Sequence, residues 1–286
     1  MQADIKSHIQ HLKTNYFFRY NEKATKHLTE LVNFSAARMF RFGESLFFLE
    51  AYSTKTILET DLRYVPKNRF DISGQLAGFF TLLVPYKDMF IIGDYSGKQQ
   101  IAVSQKFNRI DTLGAIVPEL SGKSIVYAVP DNKGGIYFAE RATGMLYYLD
   151  SGGCVTAYQG SFRMPHAMAY MNDTLFICDI VQTTTFRRGN NIIAFKDGVF
   201  SPTGLTGESI VPCPALNAYF VSNMILSYSL AKYDAGLNLI FQRHFTCHDA
   251  DSLKNFAPTC LCLNSPHLLA LDGTTLYIKA FDIIAQ

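Results

Sequence analysis

GGIYFAERATGMLYYLDSGGCVTAYQG, residues 134–160, holds two short apolar runs around a polar turn. The first, IYFAE, ends on Glu140, Arg141-Ala142-Thr143-Gly144 turns the chain, and MLYYLD leads into Ser151-Gly152-Gly153. Runs of five apolar residues bounded by turn formers are too short for helices and read as buried strands joined by a hairpin. The pattern recurs. Related pentads end at Glu50 (LFFLE), Asp94 (FIIGD), Asp179 (LFICD), Asn223 (YFVSN) and Asp272 (LLALD), so that six units follow one another at steps of 39 to 49 residues. That is the period of a four-stranded propeller blade.

The rest of each unit fits a blade. Polar turns follow the pentads, as in Tyr52-Ser53, Tyr95-Ser96-Gly97 and Gly273-Thr274-Thr275, and second apolar runs come after them, as in NIIAF and TLYIKAF. Ahead of the pentads lie AGFFTLLVP, SIVYAVP, HAMAYM and TCLCL, which predict the innermost strands. The sixth unit is one strand short, because only TTLYIKAFDIIAQ follows Asp272. An uncovered strand edge invites aggregation, and the aromatic run NYFFRY, residues 15–20, is the expected closing strand. Around it Ile5, Ile9 and Leu12, then Ala24, Leu28, Leu31 and Val32, repeat at helical spacing. The expected fold is therefore all-β. Residues 1–34 form a short helical extension that contributes a closing strand, and residues 35–286 form a six-bladed β-propeller.

Residues 134–180 resemble the NHL-repeat type of propeller, in which an apolar strand ends in Ala-Asp or a similar pair, followed by a hairpin, a Gly-containing turn and a Pro-led inner strand. Glu140 and Asn223 depart from the Asp of that pattern. The broader superfamily that this resemblance implies includes lactonase-type and amidating-lyase-type propellers.

Composition narrows the partners. The 286 residues are 48% hydrophobic and carry a net charge of +2, which gives no chain-wide basic field for nucleic acid or an anionic membrane. The opening residues interleave charge and polarity, and no stretch reaches the length of a membrane span. A soluble, cytoplasmic protein with no membrane partner is expected. Its six cysteines, Cys154, Cys178, Cys213, Cys247, Cys260 and Cys262, are too sparse for a disulfide scaffold and are expected to be reduced.

Four features bear on chemistry. Glu50, Asp94, Glu140, Asp179, Asn223 and Asp272 occupy equivalent places in successive blades and must form a ring, either as hydrogen-bond acceptors that build each blade or as oxygen ligands for a cation. His166 follows Met164-Pro165 at the start of an inner strand, with Arg163 three residues before it, near the expected channel mouth. The stretch HFTCHD offers His244, Cys247, His248 and Asp249 without a second ligand pair at finger-like spacing. Residues 180–191 form a long hairpin connection carrying Phe186, Arg187 and Arg188, a combination suited to phosphate, carboxylate or a base face. SGKS, residues 121–124, lacks the first glycine of a phosphate loop, where Val117 stands. No G-x-S-x-G pentad occurs.

The sequence thus predicts a non-enzymatic scaffold that binds a protein, a peptide or an extended ligand on one end of the propeller, through Arg163, His166, Phe186, Arg187 and Arg188, and without a cofactor. One alternative is a hydrolase or lyase resembling the lactonase-type propellers, which would use a divalent metal such as calcium or zinc near His166. Another is RNA binding through Phe186, Arg187 and Arg188, as the NHL resemblance implies.

Overall fold

The computed structural model describes residues 18–50, 56–72, 74, 80–94, 96–104, 110–141, 143–183, 187–223, 228–246, 248–249 and 253–283. Strand β1 (Phe18–Tyr20) and helix α1 (Glu22–Val32) precede the first blade, which holds β2 (Ala36–Phe42), β3 (Ser45–Glu50), β4 (Thr56–Asp61) and β5 (Pro66–Asp71). The second has β6 (Phe80–Tyr86), β7 (Met89–Asp94), β8 (Gln100–Ser104) and β9 (Ile110–Thr112), followed by the one-turn helix α2 (Leu113–Ile116). In the third are β10 (Ile125–Pro130), β11 (Ile136–Glu140), β12 (Met145–Leu149) and β13 (Val155–Gln159). The fourth is built from β14 (Pro165–Met171), β15 (Thr174–Thr183), β16 (Arg187–Lys196) and β17 (Val199–Thr206). The fifth comprises β18 (Ser209–Cys213), β19 (Ala218–Asn223), β20 (Ser229–Asp234) and β21 (Leu239–His244). The last contains β22 (Pro258–Asn264), β23 (His267–Asp272) and β24 (Ile278–Ile283), with β1 as its fourth strand.

All six sheets are antiparallel and four-stranded, and every acid-terminated pentad is the second strand of its sheet. These strands are apolar on both faces because neighbouring blades cover both; β7 is buried at each of its six positions. The outermost strands face water, and β5 is exposed along most of its length. In the opening stretch, Gly144 turns β11 into β12 at φ +74°, where a Cβ would meet the Phe162 carbonyl oxygen at 2.6 Å, so the position accepts only glycine without strain. Each first strand packs against the first strands of both neighbouring blades, which makes β2, β6, β10, β14, β18 and β22 a closed ring about the axis.

One irregularity in that ring positions the site. In five blades the ladder between first and second strands slips just after its first residue, at Ala36/Arg38, Phe80/Leu82, Ile125/Tyr127, Pro165/Ala167 and Pro258/Cys260. Such a bulge leaves one residue unpaired and re-aims its side chain. In the fourth blade that residue is His166. The fifth blade has no slip; instead Glu208, just before β18, donates its N–H to the Ser222 carbonyl at 2.7 Å.

Strand β1 closes the sixth sheet by pairing Phe18, Arg19 and Tyr20 with Ile283, Asp282 and Phe281 of β24. Phe18 is fully buried, packs edge-on against Phe220 of the fifth blade at 5.7 Å and receives a hydrogen bond on its carbonyl from Arg243. Asn21 caps α1 by accepting from the Ala24 N–H, and its amide donates to Asp282. Leu28 and Val32 then bury the helix over the seam between the last blade and the first. Among the described residues no helix is long and apolar enough to cross a membrane.

Candidate functional site in the axial channel

In five of the six blades a strand-end carboxylate anchors the start of the inner strand. Glu50, Asp94, Glu140, Asp179 and Asp272 are buried, and each pairs in register with the first residue of its inner strand. Their carboxylates accept hydrogen bonds from the turns around them. Asp179 Oδ1 takes the N–H groups of Arg163 and Met164 at 3.0 and 2.6 Å. Asp272 takes Thr274 N–H and hydroxyl and the Thr275 hydroxyl, the last two at 2.8 Å, and Asp94 takes the Ser96 hydroxyl. Glu140 accepts from Thr143 and Tyr147, and burial with this bond pushes the Tyr147 phenol up to about 12. Burial raises the Asp179 carboxyl, against the pull of the two N–H donors. Among the described residues no three His, Cys, Asp or Glu side chains converge as a metal site would require. Asp249 of HFTCHD accepts from the Thr246 N–H at 2.6 Å and lies 3.7 Å from Arg243.

Inside the ring runs a cavity of about 670 Å³, walled by β2, β10, β14, β18 and β22. At the end where these strands begin, the wall is polar: Arg38 comes from the first blade, Tyr127 from the third, His166 from the fourth, Ser209 from the fifth and Cys260 from the sixth. Further along the strands Met168, Val211, Leu263 and Phe42 give it an apolar stretch, and Arg41, Glu44 and Asn132 stand at the far end. Two to four residue steps at about 3.3 Å each separate the two levels, roughly 7–13 Å.

The polar level is electrostatically coupled. Arg38 donates to the Tyr127 hydroxyl from Nε, at 3.0 Å, and from Nη2, and its guanidinium stands 5.6 Å from the centroid of that ring. Burial opposes the Arg38 charge, but Tyr127, Cys260 and Glu208 outweigh it and the pKa is raised. Burial pushes the Cys260 thiol up while Arg38 pulls against it. His166 is 7% exposed and its Nε2 stands 3.1 Å from Glu208 Oε2, itself buried behind the wall. The approach lacks hydrogen-bond alignment: neither imidazole nitrogen has a partner, nor has Glu208 Oε1. An unsatisfied buried polar group costs about 1–3 kcal/mol, so this pair is a strained point that a ligand or water would relieve.

The residues singled out from the sequence are dispersed. His166 lines the channel at the end where the inner strands begin. Arg163 is exposed in the loop ahead of β14, and its main chain holds Asp179. Arg187 and Arg188 begin β16 opposite Thr183 and Gln182, on the end of the disc where β14 begins. The long connection read over residues 180–191 is instead paired strand up to Thr183 and from Arg187, because Ile180, Val181 and Thr183 favour the ladder. Phe186 lies outside the described residues. Arg38, Tyr127, Glu208 and Cys260 were not singled out by sequence. Aligning the inner strands on their first residues, as the pentads were aligned on their last, puts Arg38, Tyr127 and Cys260 one step beyond His166, and Glu208 just ahead of Ser209.

No family model and no curated protein matches the chain. Solved structures do. A crystal structure of the nidogen/laminin complex is similar with a TM-score of 0.62 at 13% identity, over 84% of this chain and 90% of that one. A luciferin-regenerating enzyme gives 0.59 at 9% identity, over 88% and 92%. Virginiamycin B lyase from Staphylococcus aureus gives 0.54 at 11% identity, over 88% and 85%. What these share with the chain is the fold, which serves enzymes and a protein of a binding complex alike, so function has to be argued from the chain's own residues.

Proposed function

We propose that the protein is a non-enzymatic binding scaffold whose extended ligand enters the axial channel from the end where the inner strands begin. The observation that carries this reading is the cavity: about 670 Å³ lies within the roughly 300–1,000 Å³ range of small-molecule sites, with mostly apolar walls and a few convergent polar groups at one level. The β15–β16 hairpin, with Arg187 and Arg188 at the start of β16, rises on the same end and supplies contacts for whatever part of the ligand stays outside.

Blocking the channel tests the idea. The chain contains no tryptophan, so Met168→Trp both fills the middle of the channel and reports on it by fluorescence. Wild-type protein should bind one equivalent of 1-anilinonaphthalene-8-sulfonate, and the variant, equally folded by circular dichroism, should bind none. Unchanged binding in the variant would place the probe elsewhere and remove the channel from the proposal.

A second reading draws on the His166–Glu208 pair, since an imidazole backed by a carboxylate is suited to general-base chemistry. It is the hydrolase or lyase reading. Lactone or aryl-ester hydrolysis in the presence of calcium or zinc, lost in His166→Ala and retained when Arg187 and Arg188 are both alanine, would replace the scaffold reading with this one.

A further inference from the structure

We infer that the polar level of the channel is a subsite for the carboxylate of an apolar-bodied ligand, and that the ligand binds together with one proton taken up by His166. This rests on the channel reading above and adds the chemistry of the ligand's head.

Charge balance is the first ground. Arg38 points a guanidinium into the cavity, and the Glu208 carboxylate behind the wall acts on it electrostatically. Asp179, on β15, acts on His166 and is answered by the Arg163 guanidinium. The remaining titratable neighbours are Cys178, whose thiol burial and Glu208 push up, together with Tyr127 and Cys260 around Arg38. Arg38 in the channel wall and the exposed Arg163 answer the Glu208 and Asp179 carboxylates one for one, without a charge on the imidazole. Adding a carboxylate alone would leave a buried negative excess, which a low-dielectric site resists. Adding it with a proton on the imidazole restores neutrality.

Geometry is the second ground. His166 is the bulged residue of its strand, and both of its nitrogens are unpartnered. One stands 3.1 Å from Glu208, which would stabilise the imidazolium. The other is buried as well, so the imidazole would have to turn towards the channel to donate to the incoming carboxylate. Arg38 faces the same space from the opposite side of the ring and stays charged throughout. Beyond this level Met168, Val211 and Leu263 offer an apolar wall for the ligand's body. A cation would meet Arg38, and a neutral amide would bring no charge to draw the proton in.

The proton makes the proposal measurable. Calorimetric titration of the full chain with 4-phenylbutanoate at pH 8, where imidazole is ordinarily neutral, should give heats that vary with the ionisation enthalpy of the buffer and report uptake of about one proton per ligand. 4-Phenylbutanamide and 4-phenylbutylamine should bind at least about tenfold more weakly, the scale set by losing a charge-assisted hydrogen bond. In His166→Gln the uptake should vanish while weaker binding persists; in Arg38→Met binding should be lost. Buffer-independent heats with the wild-type protein, or an amide that binds as well as the acid, would overturn the inference without any variant having to fold. If the acid fails to bind while 1-anilinonaphthalene-8-sulfonate still occupies the channel, the carboxylate subsite is wrong and the channel reading stands. If neither binds, the channel reading itself falls.

Discussion

At the scale of the residue, the strand-end acids and the channel residues represent opposite cases of legibility. Glu50, Asp94, Glu140, Asp179 and Asp272 can be seen in the sequence because each closes an apolar run, and the structure gives each a local duty towards the turn beside it. Replacing Asp272 by Ala should therefore cost about 1–3 kcal/mol in urea unfolding, since it strands buried donors. Added calcium should leave that loss unchanged, and a calcium-dependent recovery would show that the carboxylates hold an ion. Arg38 and Glu208 are invisible by the same method. In AARMFRF the two arginines stand three apart among apolar side chains, so they mark neither face of a strand. Nothing local says that residue 38 and residue 208 share a space, because only the closed ring brings them there.

Among the elements, the N-terminal strand and helix act as a strap across the closing blade. Arg19 and Asn21 reach Asp282 at 2.9 and 2.8 Å, and His267, itself within 2.9 Å of the Tyr64 hydroxyl, lies 3.5 Å from the same carboxylate. Burial of Asp282 works against its charge, yet these partners outweigh it and hold the carboxyl below its ordinary range. A depressed folded pKa means that the stabilisation is whole above the unfolded value of about 3.9 and disappears as pH falls through the folded one. Thermal melts between pH 6 and pH 2 should accordingly show a steeper acid loss for the wild-type chain than for Asp282→Asn. Parallel curves would mean that Asp282 does not titrate differently in the two states. The helix was legible from Ala24, Leu28, Leu31 and Val32, of which Leu28 and Val32 are fully covered. The β15–β16 pairing was missed because Gln182, Thr183, Arg187 and Arg188 look like a loop by polarity, whereas their pairing is decided by the strands they extend.

For the whole molecule, six-fold repetition made the architecture readable from one unit, since a blade cannot bury its second strand on both faces without neighbours. The contents of the axis were not readable, because they are set by residues of five separate blades that the repeat leaves free to differ. Removing residues 1–20 should expose the edge of β24 and much of Phe281, and should give aggregation or a melting temperature lowered by many degrees, while removal of residues 1–12 should be tolerated. Light scattering and differential scanning calorimetry on the two truncated chains would decide this. Equal melting temperatures would relieve β1 of its closing role.

The pairing of β1 with β24 also sets a schedule for synthesis. Arg19 meets Asp282 across 263 residues of chain, so β1 must wait for a partner strand that is made much later. At about 5–20 residues per second, that wait is roughly 13–50 s. Throughout it Phe18, destined to be fully buried, has no blade to enter. Closure of the sixth blade is therefore a late step of folding, and until then Phe18–Tyr20 is an aromatic stretch that a chaperone would bind.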